Sequence, residues 1–271
     1  MSLSVLMSVY YKEKPSYLKE AISSILNQSL KPSEIVLIKD GKLTEELEAV
    51  IDDFANCNPN LFKIISFDNN MGLGMALQEG VLNCSYDIIA RMDTDDIAKP
   101  DRFEKQIKIF KENPEIDIVG SYIDEFDENI NNIISRRIVP VNDSEIKKFA
   151  KRRNPFNHMT VMYRKKSVLE AGNYKPFLWN EDYYLWVRMI LKGCKMYNIP
   201  ESLVFARTGT NMFERRGGIK YIRPELNLQK EFLDLGFINT YEYITNVIFR
   251  STVRLIPNKA RGLVYTKLLR A

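Results

Sequence analysis

Cysteine and histidine are scarce in this chain, and neither builds a framework. Cys57, Cys84 and Cys194 lie far apart and form no CxxC pair. An odd, scattered set gives no disulfide scaffold, so a reducing cytosol is the expected compartment. His158 is the only histidine, and a lone histidine beside a strand is more often structural than functional. Long apolar runs are missing too. None approaches the roughly 18 residues that would suggest a bilayer span. The opening stretch Met1–Lys14 has no basic lead before its short apolar run, and it reads as a strand rather than a signal peptide. Internal repeats and low-complexity linkers are absent. The net charge of +4 is too small to argue for nucleic acid, and no such partner is expected. Residues 239–271 nonetheless carry six basic side chains against one acid, Glu242.

What is present suits a sizeable core: 45% of residues are apolar and 27% charged. The first half alternates β-rich runs with helical spacing. Strands are predicted at 3–10, 34–39, 62–67 and 88–92, and helices at 15–27, 44–56, 72–83 and 100–113. Repeated βα units imply a parallel sheet covered on both faces, with ligands at the carboxyl ends of its strands. After Ile116 the pattern changes. Strands are predicted at 118–126, 133–139, 158–164 and 203–207, around helices at 144–153 and 181–192. From Gly217 the chain reads as helical, with interruptions near Gly236 and Pro257.

The most informative run is Ile88–Asp96, where four apolar-rich residues lead into Asp93, Asp95 and Asp96. Such crowding of negative charge is unfavourable unless a cation or hydrogen-bond donors offset it. On extended chain, Asp93 and Asp95 point the same way. Hard divalent ions such as Mn²⁺ and Mg²⁺ prefer oxygen, and Mg²⁺ is commonly shared between one or two carboxylates and substrate phosphates. The plainer alternative is that Asp96 or Asp101 caps the helix after Pro100. The position at a predicted strand end favours the ion.

Further segments fall in order around this run. They are Ser8–Glu13, Val36–Gly41, Asn69–Gly74, Arg91–Asp96 with Arg102 and Gln106, Asn154–Met162 and Asn180–Trp186. Together they resemble the family 2 glycosyltransferases, which have the GT-A fold. Within that family the chain is similar to the capsule, lipopolysaccharide and exopolysaccharide enzymes, a branch that Arg215–Gly218 and the basic C-terminal helices also resemble. Two positions depart from the pattern: Lys39 replaces a common acid, and Lys42 replaces a common serine.

The resemblance implies an α/β, GT-A type, Rossmann-like and mostly parallel sheet flanked by helices, with a helical C-terminal tail. The catalytic domain would span 1–216, with a nucleotide-binding half at 1–115 and an acceptor half at 116–216; a basic extension would follow at 217–271. It implies inverting transfer of a hexose from a UDP-sugar to a glycan or polyprenyl-diphosphate-linked acceptor. The cofactor would be Mn²⁺ or Mg²⁺, and the setting cytoplasmic, with possible peripheral attachment to an anionic membrane. It further implies roles for single residues. Asp40 would accept from the N3–H of uracil, which cytosine lacks. Ser8 and Tyr10 would flank the nucleotide, and Glu13 would order its loop. Asp93 would stand at the ribose or a metal-bound water, Asp95 would ligate the metal, and Arg91 would pair with this cluster.

Asp182 would be the general base, taking the acceptor's proton as the new C1–O bond forms. Glu181, His158, Trp179, Arg207 and Asp96 would surround the acceptor or support the metal. Each has a plain alternative. Asp40 suits an Asp-Gly turn, Tyr10 core packing, and Glu181 with Asp182 a helix start favoured by the dipole. Arg91 could simply balance the acids, Trp179 could pack in its loop, and arginines such as Arg207 suit phosphate but also solvent.

Two other functions fit acids on an α/β sheet. A sugar-phosphate nucleotidyltransferase would carry a glycine-rich, basic loop after the first strand, whereas Ser8–Glu13 has no glycine. A catalytically silent binder of nucleotide sugar or glycan has no need of both Asp95 and Asp182. Dinucleotide binding is disfavoured, because Gly72 and Gly74 lack the required spacing and position.

Overall fold

A computed structural model describes residues 1–208 and 219–255. The chain opens with β1 (Leu3–Val9), α1 (Pro15–Leu26), β2 (Glu34–Lys39), α2 (Glu45–Cys57), β3 (Phe62–Ser66), α3 (Leu73–Asn83) and β4 (Ile88–Arg91). β1 lies parallel to both β2 and β4, and β2 parallel to β3. β1 and β2 are covered on both faces, so their sequences run apolar without alternating. Val5, Met7, Ile35 and Leu37 meet α1 and α2 on one face; Leu6, Val36 and Ile38 meet α3 on the other. α1 begins at Pro15, where the missing N–H needs no partner. At the start of α2, Leu47 N donates to the Thr44 hydroxyl.

The second half adds β5 (Ile97–Ala98), α4 (Arg102–Glu112), β6 (Ile116–Phe126), β7 (Ile133–Arg137), α5 (Asp143–Ala150), β8 (Met162–Arg164), α6 (Lys165–Glu170), α7 (Glu181–Leu191) and β9 (Lys195–Arg207). The sheet runs in the order β3-β2-β1-β4-β8-β6-β9-β5, with β7 also paired to β6. β8 is antiparallel to β4 and β6, whereas β6 and β9 are parallel.

Two expectations change. The strand expected at 158–164 is a 3-10 turn, His158–Thr160, followed by the short β8. The strand expected at 203–207 is the end of the longer β9. Between Ile199 and Ser202, Pro200 and Glu201 drop out of register, because proline has no N–H for the ladder. β5 and α6 were not anticipated.

Beyond the sheet come α8 (Ile219–Asp234) and α9 (Thr240–Leu255), separated where Gly236 adopts a φ of 70°. The tail is not detached: Leu228 and Phe232 of α8 are buried with Tyr183, Tyr184 and Val187 of α7. No helix among the described residues is long and apolar enough to cross a membrane. Arg215–Gly218 and the segment from Pro257 onward lie outside the described residues.

Candidate active site

The carboxyl ends of β1, β2 and β4 open into a cleft of about 670 Å³. Ser8, Tyr10, Glu13, Asp40, Arg91, Asp93, Asp95 and Arg207 all line it, so the topology gathers residues spread over almost the whole described sheet. Tyr10 is exposed there, edge-on to Tyr11, rather than packed in the core.

Asp40 holds the far wall. Its carboxylate accepts from the Met71 and Gly72 amides at 2.6 and 3.0 Å, and the Asn70 side chain donates to its carbonyl at 3.1 Å. Gly41 permits this approach. Its φ is 87°, and a Cβ would stand 2.7 Å from the Asn70 nitrogen. Carboxylate lone pairs remain for a further donor.

The acidic run after β4 is a turn, not extended chain: Thr94 and Asp95 bend it. Asp93 pairs with Arg91, whose buried guanidinium also donates to the Met92 carbonyl. Thr94 donates to Glu13 at 2.7 Å and so ties this turn to the loop after β1. Asp95 makes no ion pair among the described residues. Burial, then the charges of Asp93 and Glu13, push its carboxyl up to about 7. Asp96 is sealed and caps no helix. It accepts from the Arg207 amide at 2.8 Å, and burial, then Asp95 and Asp93, raise it well above the usual carboxylate range. Arg207 also donates from Nε to the Asp95 carbonyl at 3.0 Å and pairs with Glu20 at 2.5 Å. Its guanidinium lies 3.9 Å from the Tyr17 ring centre and 4.6 Å from that of Phe126. The donors expected to meet phosphate are thus engaged within the protein.

Below this turn, Arg102 and Gln106 fasten α4 to the strand ends. Arg102 donates to the Arg91 carbonyl at 2.7 Å and to Gln106 at 3.0 Å; Gln106 donates to the Val119 and Thr160 carbonyls at 3.0 and 2.8 Å. Burial, then the charge of Arg91, lowers Arg102 to about 9.

The donor set suits a divalent ion only in part. Asp95 is unneutralised beside Asp93 and Glu13, which favours a cation. Yet no group of three His, Cys, Asp or Glu side chains among the described residues can hold one unaided. Ligands from a bound diphosphate would complete such a site, as is common for Mg²⁺.

Asp182 stands in the first turn of α7 and accepts from Asn154 Nδ2 at 2.6 Å. The acid pushed up to about 7 is its neighbour Glu181, by burial first and the charge of Asp182 after. Glu181 tucks against α3 at Gly74, where a Cβ would stand 2.9 Å from its Cγ and 2.7 Å from the Lys175 carbonyl. His158 has its Nε2 sealed from solvent with no hydrogen-bond partner among the described residues. Burial and Arg91 lower its pKa, while Asp182 and Asp93 oppose them, so the ring stands within electrostatic reach of both carboxylates. Trp179 is exposed just before α7, at a φ of 65°. Asp182, Glu181, His158, Trp179 and Asp96 do not line the cleft itself.

Several contributors carried no role in the sequence. Thr94 and Asn154 lie inside segments already singled out, but their partners are 81 and 28 residues away. Asp127 and Glu128, which no motif singled out, reach the cleft from the segment between β6 and β7.

Comparison with known proteins bears on this geometry. The family model described as glycosyl transferase family 2 matches residues 4–172. An uncharacterized glycosyltransferase of Haemophilus influenzae is 42% identical over 270 residues, covering all of both chains. The amylovoran biosynthesis glycosyltransferase AmsE of Erwinia amylovora is 40% identical, over 97% of this chain and 98% of its own. An Escherichia coli protein named UDP-Gal:alpha-D-GlcNAc-diphosphoundecaprenol beta-1,3-galactosyltransferase is 38% identical, over 98% and 96%.

Among solved structures, S. aureus TarS 1-349 in complex with UDP-GlcNAc superposes with a TM-score of 0.67 at 15% identity, over 99% of this chain and 76% of that one. In the longer TarS structure the chain spans 46% of the length. The mannosyltransferase PcManGT of Pyrobaculum calidifontis, with GDP-Man and Mn²⁺, gives 0.66 at 14% identity, over 98% and 75%. The fold is therefore GT-A, and with relatives near 40% identity along its whole length the chain belongs to glycosyl transferase family 2.

Proposed function

We propose that the protein transfers a hexose from a UDP-sugar, with inversion at the anomeric carbon, to a glycan or polyprenyl-diphosphate-linked acceptor in cell-surface polysaccharide biosynthesis. The observation that carries this reading is the cleft at the carboxyl ends of β1, β2 and β4, where Asp40, Asp93 and Asp95 converge. The names of the E. coli and Erwinia relatives favour such acceptors.

Asp40, already fixing the 69–72 loop, offers a remaining lone pair to the uracil N3–H, and Tyr10 flanks the base. Asp95, with Asp93 beside it, would hold Mn²⁺ or Mg²⁺. A bound ion supplies charge neutralisation for the departing diphosphate. Asn154 fixes the carboxylate of Asp182 in one orientation. Asp182 takes the proton of the acceptor hydroxyl while that oxygen bonds to C1 of the sugar. The bond from C1 to the diphosphate oxygen breaks on the opposite side, and UDP leaves with the electron pair. No covalent intermediate with the protein arises. The reaction belongs in the cytoplasm, where nucleotide sugars serve as donors.

The test is UDP release from a panel of UDP-sugars with Mn²⁺, together with a binding assay for the donor. Asp95→Ala should abolish donor binding. Asp182→Asn should keep donor binding and lower transfer by at least about 10²-fold, the scale of general base catalysis. Pyrophosphate release from UTP in place of UDP release, or full activity in Asp182→Asn, would overturn the reading.

A further inference from the structure

We infer that Asp127 bonds the hydroxyls of the donor's hexose and so helps to select that sugar; the inference rests on the transferase reading above and names a side chain that would meet the ring. Strand order carries it. β1 is parallel to both β2 and β4, and β8 is antiparallel to both β4 and β6. β2, β4 and β6 therefore point the same way, and their carboxyl ends follow one another along one edge of the sheet. Asp40 follows β2, the aspartate turn follows β4, and Asp127 follows β6. One strand intervenes within each pair, which sets successive positions about 10 Å apart at ordinary strand spacing. A nucleotide sugar carries base, diphosphate and hexose in the same order. With the base at Asp40 and the diphosphate at Asp95, the hexose falls to Asp127.

The backbone at Asp127 is held, whereas its carboxylate is left for a ligand. Arg207 donates from Nε to the Asp95 carbonyl at 3.0 Å and from Nη1 to the Asp127 carbonyl at 3.4 Å, so one guanidinium sets the two residues side by side. The Thr208 amide fixes the preceding residue by donating to the Phe126 carbonyl at 2.8 Å. Asp127 is half-buried and lines the cleft, yet its carboxylate makes no hydrogen bond or ion pair among the described residues. Its neighbour Glu128 is exposed and acts on the rim. There the hydrogen bond and charge of Tyr17 raise the Lys14 amine, and the charge of Glu128 adds to them.

Chemistry selects the occupant. A carboxylate repels phosphate but accepts strongly from hydroxyls. The uncharged, hydroxyl-rich part of the donor is its hexose. A side chain placed to bond one hydroxyl also rejects the analogue that lacks it or turns it away.

The experiment is calorimetric titration of the full chain, with Mn²⁺ present, by UDP, UDP-glucose, UDP-galactose and UDP-N-acetylglucosamine. The wild-type chain is compared with Asp127→Ala and Asp127→Asn, both of which should match its far-UV circular dichroism. For the UDP-sugar that the wild-type chain binds most tightly, Asp127→Ala should raise Kd at least about tenfold, the scale of a lost hydrogen bond to a charged group, while Kd for UDP stays within about twofold. Asp127→Asn keeps an acceptor without the charge and should fall between the two. The Kd values of the UDP-sugars should also lie closer together in Asp127→Ala than in the wild-type chain.

Unchanged UDP-sugar binding in Asp127→Ala would overturn the inference. So would equal weakening of UDP and UDP-sugar, since Asp127 would then serve the nucleotide or the ion. In both cases UDP binding by the wild-type chain leaves the transferase reading standing. A wild-type chain that binds neither UDP nor any UDP-sugar would remove that reading and this inference together.

Discussion

Glu181 packs under α3 while Asp182, one residue on, turns toward Asn154. Burial raises Glu181 from an ordinary 4.5 to about 7. A carboxyl whose pKa is higher in the folded than in the unfolded chain favours folding when protonated. That advantage is complete below the unfolded value and is lost as pH rises through the folded one. Between about pH 4.5 and 7 the native state holds a proton that the unfolded state has released, so stability falls across this window, by about 3 kcal/mol in total. Glu181→Gln should flatten the decline: relative to the wild-type chain it gains on going from pH 5 to pH 8, as measured by urea unfolding at the two pH values. An unchanged pH profile would mean that Glu181 ionises freely in the fold. At this scale the sequence was partly legible. The types and order of Asp40, Asp93 and Asp95 pointed to the cleft that they line, whereas Asp182 stands outside it. Which acid burial would perturb, and which donor would hold Asp182, depend on contacts such as Gly74 to Glu181 that no local pattern encodes.

At the scale of elements, Gly74 is where helix α3 packs against Lys175 and against Glu181 at the start of α7. A methyl group there would meet the Lys175 carbonyl at 2.7 Å, and backbone cannot swing aside as a side-chain tip can. Gly74→Ala should therefore cost about 1–3 kcal/mol, the range for overpacking, despite the better helix propensity of alanine. A drop in the urea midpoint with an unchanged slope would report it. Elements with strong periodicity were legible from sequence, because buried parallel strands and amphipathic helices each impose their own repeat. β5 was not: its pairing comes from Ala98 and Ile97 lying against Val204 and Phe205, more than a hundred residues later. The true length of β9 was hidden by Pro200, which reads as a breaker although the strand merely bulges around it.

In the molecule as a whole, the helices after β9 are part of the body. Phe232 is fully buried, its ring 4.9 Å from that of Tyr183 and 5.7 Å from that of Phe237. Phe232→Ala should destabilise the protein by about 3–5 kcal/mol, in one cooperative transition rather than by fraying the tail alone. Two separate transitions in thermal unfolding, monitored by near- and far-UV circular dichroism, would contradict this. Arg207 has a similar reach. It closes β9, yet its amide and Nε hold Asp96 and Asp95, which precede it by more than a hundred positions. The bend of the aspartate turn is thus borrowed from the far end of the sheet. A protein engineer who grafted Arg91–Asp96 alone into another scaffold would transplant the letters without the shape; the strand that ends in Arg207 would have to travel with it.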